Sequence, residues 1–248
     1  MESRPESPLA RTSLPSLSDH SFAPMPDFRQ AVSPEAVLRE LSLCEDFAEC
    51  FAHPNHTLAD GRTKSIADHS LDVARQYLKY FSEYPLFGTI GRRGMLAIIL
   101  LHDIGKEVAR RSDKEQHEMH LDILTRNRTF TGLNDQEYCL AEFLVGGDSL
   151  GLYLQEKIAL SRLTRAVCFA ADRLGVASST LFALGVRFFQ ADSSAYSSDI
   201  PSEGRLDHLY VLNGHGKLQF QSDVGRLLFA PALEEKLALL ESSLGLDS

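Results

Sequence analysis

The chain has 248 residues, 34 acidic against 25 basic, a formal net charge of −9, and 44% hydrophobic residues against 24% charged. That mix is ordinary for a globular protein, and the longest unbroken apolar run, Met95 to Leu101, falls far short of the roughly 20 residues a membrane-spanning helix needs. The acidic excess argues against affinity for polymeric nucleic acid, which requires a basic footprint. Four cysteines (Cys44, Cys50, Cys139, Cys168) form no CxxC pair, which argues against a zinc ribbon or a disulfide framework. The N-terminus lacks the basic-then-apolar order of a signal peptide. The expectation is a soluble cytoplasmic protein with no membrane partner, with self-association left open.

Residues 1–32 hold five of the ten prolines and six serines without any period, and read as a disordered Ser/Pro-rich arm. An export or docking signal is the alternative reading of the arm. Ser33-Pro34-Glu35 is a helix start, a hydroxyl cap followed by proline and an acid, and predicts a helix to about Phe51. The chain then loops through His53 and His56 to Gly61. A second helix is expected over 65–82, where Ile66, His69, Val73, Tyr77 and Tyr80 recur at three- and four-residue steps. Further helices are expected at 92–101, 114–126, 135–145, 152–175 and 178–193. After about residue 206 the period changes to two, over 208–212, 217–220 and 227–229, with Asn213-Gly214 and Gly216 as hairpin-turn residues. Pro231 opens a last amphipathic helix. The reading is a mainly α protein: a helical domain over 33–200, then a small β-hairpin element and terminal helix over 201–248.

The chemistry concentrates at Leu100-Leu101-His102-Asp103-Ile104-Gly105-Lys106. An apolar run there delivers an imidazole and a carboxylate to the end of a buried helix, where a carboxylate needs a cation or a dense hydrogen-bond shell. The pair is either a helix cap or part of a metal site. His69 lies on the apolar stripe of its own helix, either as a satisfied core histidine or as a ligand. Asp192 continues the stripe Leu181, Leu184, Phe188 and Phe189, an uncommon place for an unpaired acid. One divalent cation held by His69, His102, Asp103 and Asp192 accounts for all three anomalies. Asp172 competes with Asp192 as the closing ligand, but it lies off its own stripe near Arg165 and Arg173, and Asp192 is preferred.

With these residues in that order, the sequence resembles the HD-domain metal-dependent phosphohydrolase superfamily over roughly residues 36–196. The match rests on His69, the His102-Asp103 doublet with its Ile-Gly-Lys continuation, and Asp192. The resemblance implies an HD-domain-like helical bundle and a divalent ion such as Mn, Mg, Fe, Co, Ni or Zn. The implied activity is hydrolysis of a nucleotide, a cyclic nucleotide or another small phosphate ester by metal-activated water, with Asp103 in the catalytic set. Lys106 is a candidate catalytic and phosphate-binding cation, and Arg62 and Lys64 are further phosphate anchors. His117 and His120 follow the doublet where some members hold a second metal. A mononuclear site is expected here, with one of the two histidines serving as acid or phosphate donor. Asp148 stands where a further histidine would be, as a hard ligand or substrate contact. A metal- or ligand-binding scaffold, or a secreted effector with a regulatory role, is the alternative function.

Overall fold

The computed structural model describes residues 32–58, 60–112, 114–196, 206–221 and 225–246. The arm expected over 1–32 lies outside the described residues except for Val32, as do residues 197–205, between the helix expected over 178–193 and the stretch of period two.

Helix α1 (Pro34–Leu41) starts as the sequence implies, with Ser33 Oγ accepting from the Ala36 amide at 3.1 Å. It does not continue to Phe51. The chain breaks at Ser42–Cys44 and restarts as α2 (Glu45–Ala52). Each of the two short helices buries its own apolar residues, Val37 and Leu41 on the first and Phe47, Cys50 and Phe51 on the second. The expected loop that follows instead forms two short strands, β1 (Pro54–Thr57) and β2 (Thr63–Ser65), paired antiparallel.

Helix α3 (Ile66–Phe81) opens on a reciprocal cap between Ser65 and Asp68 and buries Ile66, His69, Val73, Tyr77 and Phe81. Helix α4 (Arg92–Leu100) is buried from Gly94 to its end and packs against α1, α3 and α8 (Asp135–Gly147), so it forms the centre of the core. Its N-cap Gly91 has no side chain to satisfy the first amides. Glu137, buried on α8, supplies the acceptor instead: one carboxylate oxygen takes the Gly91 amide and the other the Asn134 amide, each at 3.0 Å. A Cβ at Gly94 would collide with that same carboxylate, so the central helix needs glycine there.

Between α4 and α8 lie α5 (Lys106–Arg110), α6 (Gln116–Arg126) and α7 (Arg128–Thr131). The helix expected over 152–175 is two, α9 (Ser149–Leu154) and α10 (Leu160–Leu174), separated by a turn in which Glu156 takes a left-handed φ of 61°. Helix α11 (Ser178–Ala195) packs along α3. The chain continues through α12 (Leu206–Leu209) and a ribbon of isolated bridges with β3 (Phe220–Gln221) and β4 (Arg226–Leu227), then ends on α13 (Pro231–Ser243). The ribbon is less regular than the period suggests, and residues 208–209 are helical. Its turn forms at Asn213–Gly216, with Gly216 at φ 68°. Buried Gln190 ties the ribbon to α11: its amide donates to the Leu227 carbonyl at 2.7 Å and accepts from the Leu227 amide at 2.9 Å. The protein is mainly α-helical, with two small antiparallel pairs of strands among the described residues.

Candidate metal centre

Three helices deliver the cluster. His69 comes from the buried face of α3, His102 from the turn that ends α4, and Asp192 from the last turns of α11. The Asp192 Oδ1 lies 3.1 Å from His69 Nε2 and 3.4 Å from His102 Nε2. One ligand atom from each of the three residues lies within 4.8 Å of the other two, so the group can hold a metal ion. His69 is fully buried and His102 nearly so, whereas Asp192 is half-buried, facing the cavity through which a ligand would enter.

The donor set fits a divalent ion. His102 Nδ1 lies 2.7 Å from the Ile99 carbonyl, which can only accept, so the neutral ring carries its proton on Nδ1 and aims a bare Nε2 lone pair into the cluster. His102 Nε2 has no hydrogen-bond partner among the described residues. Two imidazoles and a carboxylate suit Mn, Fe, Co, Ni or Zn.

Asp103, the fourth expected ligand, borders the same two imidazoles and is also engaged by neighbouring donors. Its Oδ2 is 3.6 Å from His102 Nε2 and 3.9 Å from His69 Nε2. That oxygen accepts from Asn55 Nδ2 and from Lys106 Nζ, each at 2.9 Å, while Oδ1 accepts from Gln116 at 3.3 Å. Lys106 also donates to Asn55 Oδ1 at 2.7 Å, closing a three-residue ring. Arg110 grips the carbonyls of Pro54 and Asn55 and so holds β1 against this ring.

Electrostatics follow from the crowding of acids. Burial would lower the pKa of His102, but the charges of Asp103 and Asp192 outweigh it and raise the imidazole to about 9. Burial works to raise Asp192, yet the imidazoles of His102 and His69 beside it hold it well below the usual carboxylate range. Burial likewise opposes Asp103, and His102 and Lys106 bring it down. Without an ion, then, a proton on His102 balances the acids, and metal uptake must displace it. Metal affinity should therefore rise by about tenfold per pH unit from pH 6 to 8 and level off near 9. Titration of the metal against a competing chelator across that range checks this, and a flat profile would exclude His102 as a ligand.

A cavity of about 190 Å³ lies over the cluster, lined by Asp192, Lys106, His120, Asp148, Phe188 and Tyr196 among others. His120 is buried; its Nδ1 meets the Val145 carbonyl at 3.2 Å, and its Nε2 has no partner among the described residues. Burial lowers its pKa to about 4, so near neutrality it is an uncharged ring. Asp148 sits in a left-handed conformation, φ 32°, between α8 and α9. It is open to the water of the cavity, yet desolvation by the surrounding walls, together with the charges of Asp192 and Asp103, raises it to about 7.

Three expected residues fall elsewhere. Arg62 is exposed and paired with Asp60, and Lys64 is paired with Asp72 on α3; neither lines the cavity, because sequence proximity to α3 places them at its outer start. His117 lines an adjoining outer cavity and not the chamber over the cluster. Asp172 is exposed on α10. Asn55, Gln116 and Tyr196 were not singled out from sequence. Asn55 lies in a Pro-Asn-His stretch that reads as a turn, and only tertiary pairing makes it a buried partner of Asp103. Tyr196, whose ring centroid is 4.6 Å from that of His69, follows Asp192 by one helical turn, and that spacing is a signal the sequence does carry.

Comparison with known proteins gives no match: no family model fits the chain, and no curated protein or solved structure is significantly similar to it.

Proposed function

We propose that this chain is a metal-dependent phosphohydrolase of the HD-domain type acting on a small organic phosphate. The observation that carries the reading is the convergence of His69, His102 and Asp192 from three helices, with His102 and Asp192 lining a cavity whose walls hold a cation and two further protonatable groups, and His69 buried directly behind them. A divalent ion bound there supplies Lewis acidity toward a phosphoryl group and acidifies a water. Asp103, fixed by Asn55, Gln116 and Lys106, borders the ion and accepts hydrogen bonds. Lys106 brings an ammonium to the cavity wall, where it opposes phosphoryl charge. Asp148 lines the same cavity and brings a carboxyl group to its wall, where it can exchange a proton with a leaving oxygen. Neutral His120 presents Nε2 as an acceptor.

The test is release of phosphate from a panel of nucleotides and sugar phosphates with Mn²⁺, with Mg²⁺, and after chelation, beside the His102→Ala variant. Metal-dependent turnover lost in the variant is expected. Ligand binding without turnover for any substrate or metal would leave a binding scaffold in place of an enzyme.

A further inference from the structure

The chamber over the cluster opens into a second one. Gln116, His120, Val145 and Asp148 line both, and the outer chamber, about 780 Å³, has by itself the volume of a small-molecule pocket. A lone phosphate does not need such a space. Its far wall is built by the turn between α9 and α10 and the first turn of α10, with Leu152 and Ile158 as half-buried apolar surface and Lys157 and Arg162 as cations.

The local structure separates the charges of that turn. Glu156, in its left-handed conformation, is drawn to α13 by Lys236, with Nζ 2.8 Å from Oε1, and Lys236 also donates to the Leu154 carbonyl. Lys157 is left facing the chamber; neither it nor Arg162 has an ion-pair partner among the described residues. Helix α10 begins at Ala159, which supplies no capping oxygen, and no acid occupies its first turn, so the partial positive charge of that helix end is uncompensated. On the near side, His120 is 3% exposed and has an unpartnered Nε2, an acceptor placed between the two chambers. Glu115 and Glu118 also line the outer chamber, from the start of α6; they suit hydroxyl or amino groups on the body of a ligand, and they disfavour a continuous polyanion.

We infer that the substrate is an organic phosphate carrying a second phosphate at its far end, with Lys157 and Arg162 receiving that group while the first lies over His69, His102 and Asp192. The inference rests on the proposed hydrolase reading for the role of the inner chamber. The apolar stretch at Leu152 and Ile158 covers the organic body between the two phosphates. Lys157 and Arg162 act on binding of the remote group and not on the reacting atoms.

The experiment compares a nucleoside 3′,5′-bisphosphate with the matching 5′-monophosphate, by calorimetric binding with Mn²⁺ and after chelation, and by hydrolysis. The bisphosphate should bind about tenfold more tightly or better, as two charge-assisted contacts provide. In Lys157→Gln/Arg162→Gln that gap should close, while monophosphate binding and turnover stay as in the parent chain. Arg162→Lys, which keeps the charge, should retain most of the gap; both positions are exposed, and an unchanged melting temperature confirms folding. Equal affinity for the two probes in the parent chain, or a gap that persists in the double variant, overturns the inference even where the monophosphate is hydrolysed. A gap that closes as expected supports the second phosphate site whether or not either probe is hydrolysed; if turnover is also absent across the whole substrate and metal panel, the hydrolase reading alone is overturned.

Discussion

On the proposed metal-centre reading, Asp192→Asn should weaken divalent-ion binding at least 10–100-fold, by analogy with losses seen on removing even outer partners of a metal site, while Asp172→Asn leaves that binding unchanged. The substitution keeps the volume and removes the charge. Asp192 Oδ1 faces the Nε2 atoms of His69 and His102 at 3.1 and 3.4 Å, nearer than Asp103 Oδ2 at 3.9 and 3.6 Å. Asp192 arrives there because it continues the buried sequence Leu181, Leu184 and Phe188 along α11. Asp172 sits on the exposed side of α10, away from Leu163, Val167, Ala170 and Leu174, and its change to Asn should move stability by only about 0.5 kcal/mol, as for ordinary surface changes. Metal content after dialysis, measured beside phosphate release, reads both. A loaded Asp192→Asn protein and an empty Asp172→Asn protein would move the closing ligand one helix earlier.

Gly105→Ala should be the most damaging single methyl group in the molecule's site region. The backbone of Gly105 is ordinary, with φ −89°, so conformational freedom is not the issue. The added Cβ would collide with the His120 ring and lie 2.5 Å from the His120 amide nitrogen and 2.8 Å from the Met119 carbonyl carbon. Helix backbone cannot swing aside as a side chain can, so α6 must move as a body, carrying Gln116 and His120 away from Asp103. Overpacking of this kind costs about 1–3 kcal/mol, and with backbone in the way the upper end is expected. For a chain of this size that lowers the melting temperature by roughly 6–12 °C, and under the proposed function phosphate release falls alongside. Gly214→Ala, where nothing lies within 4 Å of the new methyl, is the control and should melt with the parent. A Gly105→Ala protein that melts with the parent would show that α5 and α6 have room to spare.

What the sequence carried was periodic or paired. The phase of His69 along α3 and of Asp192 along α11 survives in the structure because each helix buries one continuous stripe, and a residue in phase with the stripe must face inward. The break at Ser42–Cys44 was not legible in this way. The apolar residues on either side of it, Val37, Leu41, Cys44, Phe47 and Phe51, fall within one stripe of an unbroken helix at 100° per residue, so the period carries no mark of the break. The β1–β2 pair escaped because three- and four-residue strands show no period, and with them went Asn55. Arg62 and Lys64 misled for a related reason: nearness in sequence to the start of α3 says nothing about which side of the strand pair their charges take, and Asp60 and Asp72 claim them first. The split between α9 and α10 turns on Glu156, whose left-handed backbone is held by an ion pair 80 residues away.

The ring of Asn55, Asp103 and Lys106 bears on the order of assembly. A carboxylate set into an apolar core would ordinarily tie folding to the arrival of its counter-ion, as in small domains that stay unfolded until metal binds. Here the lysine three residues on already answers Asp103, and a strand clamped by Arg110 keeps the asparagine in place. Under the proposed function the chain can complete its fold first and take up its ion afterwards. Scarcity of metal would then produce a standing pool of idle, intact molecules that regain activity on loading, with no fresh synthesis required.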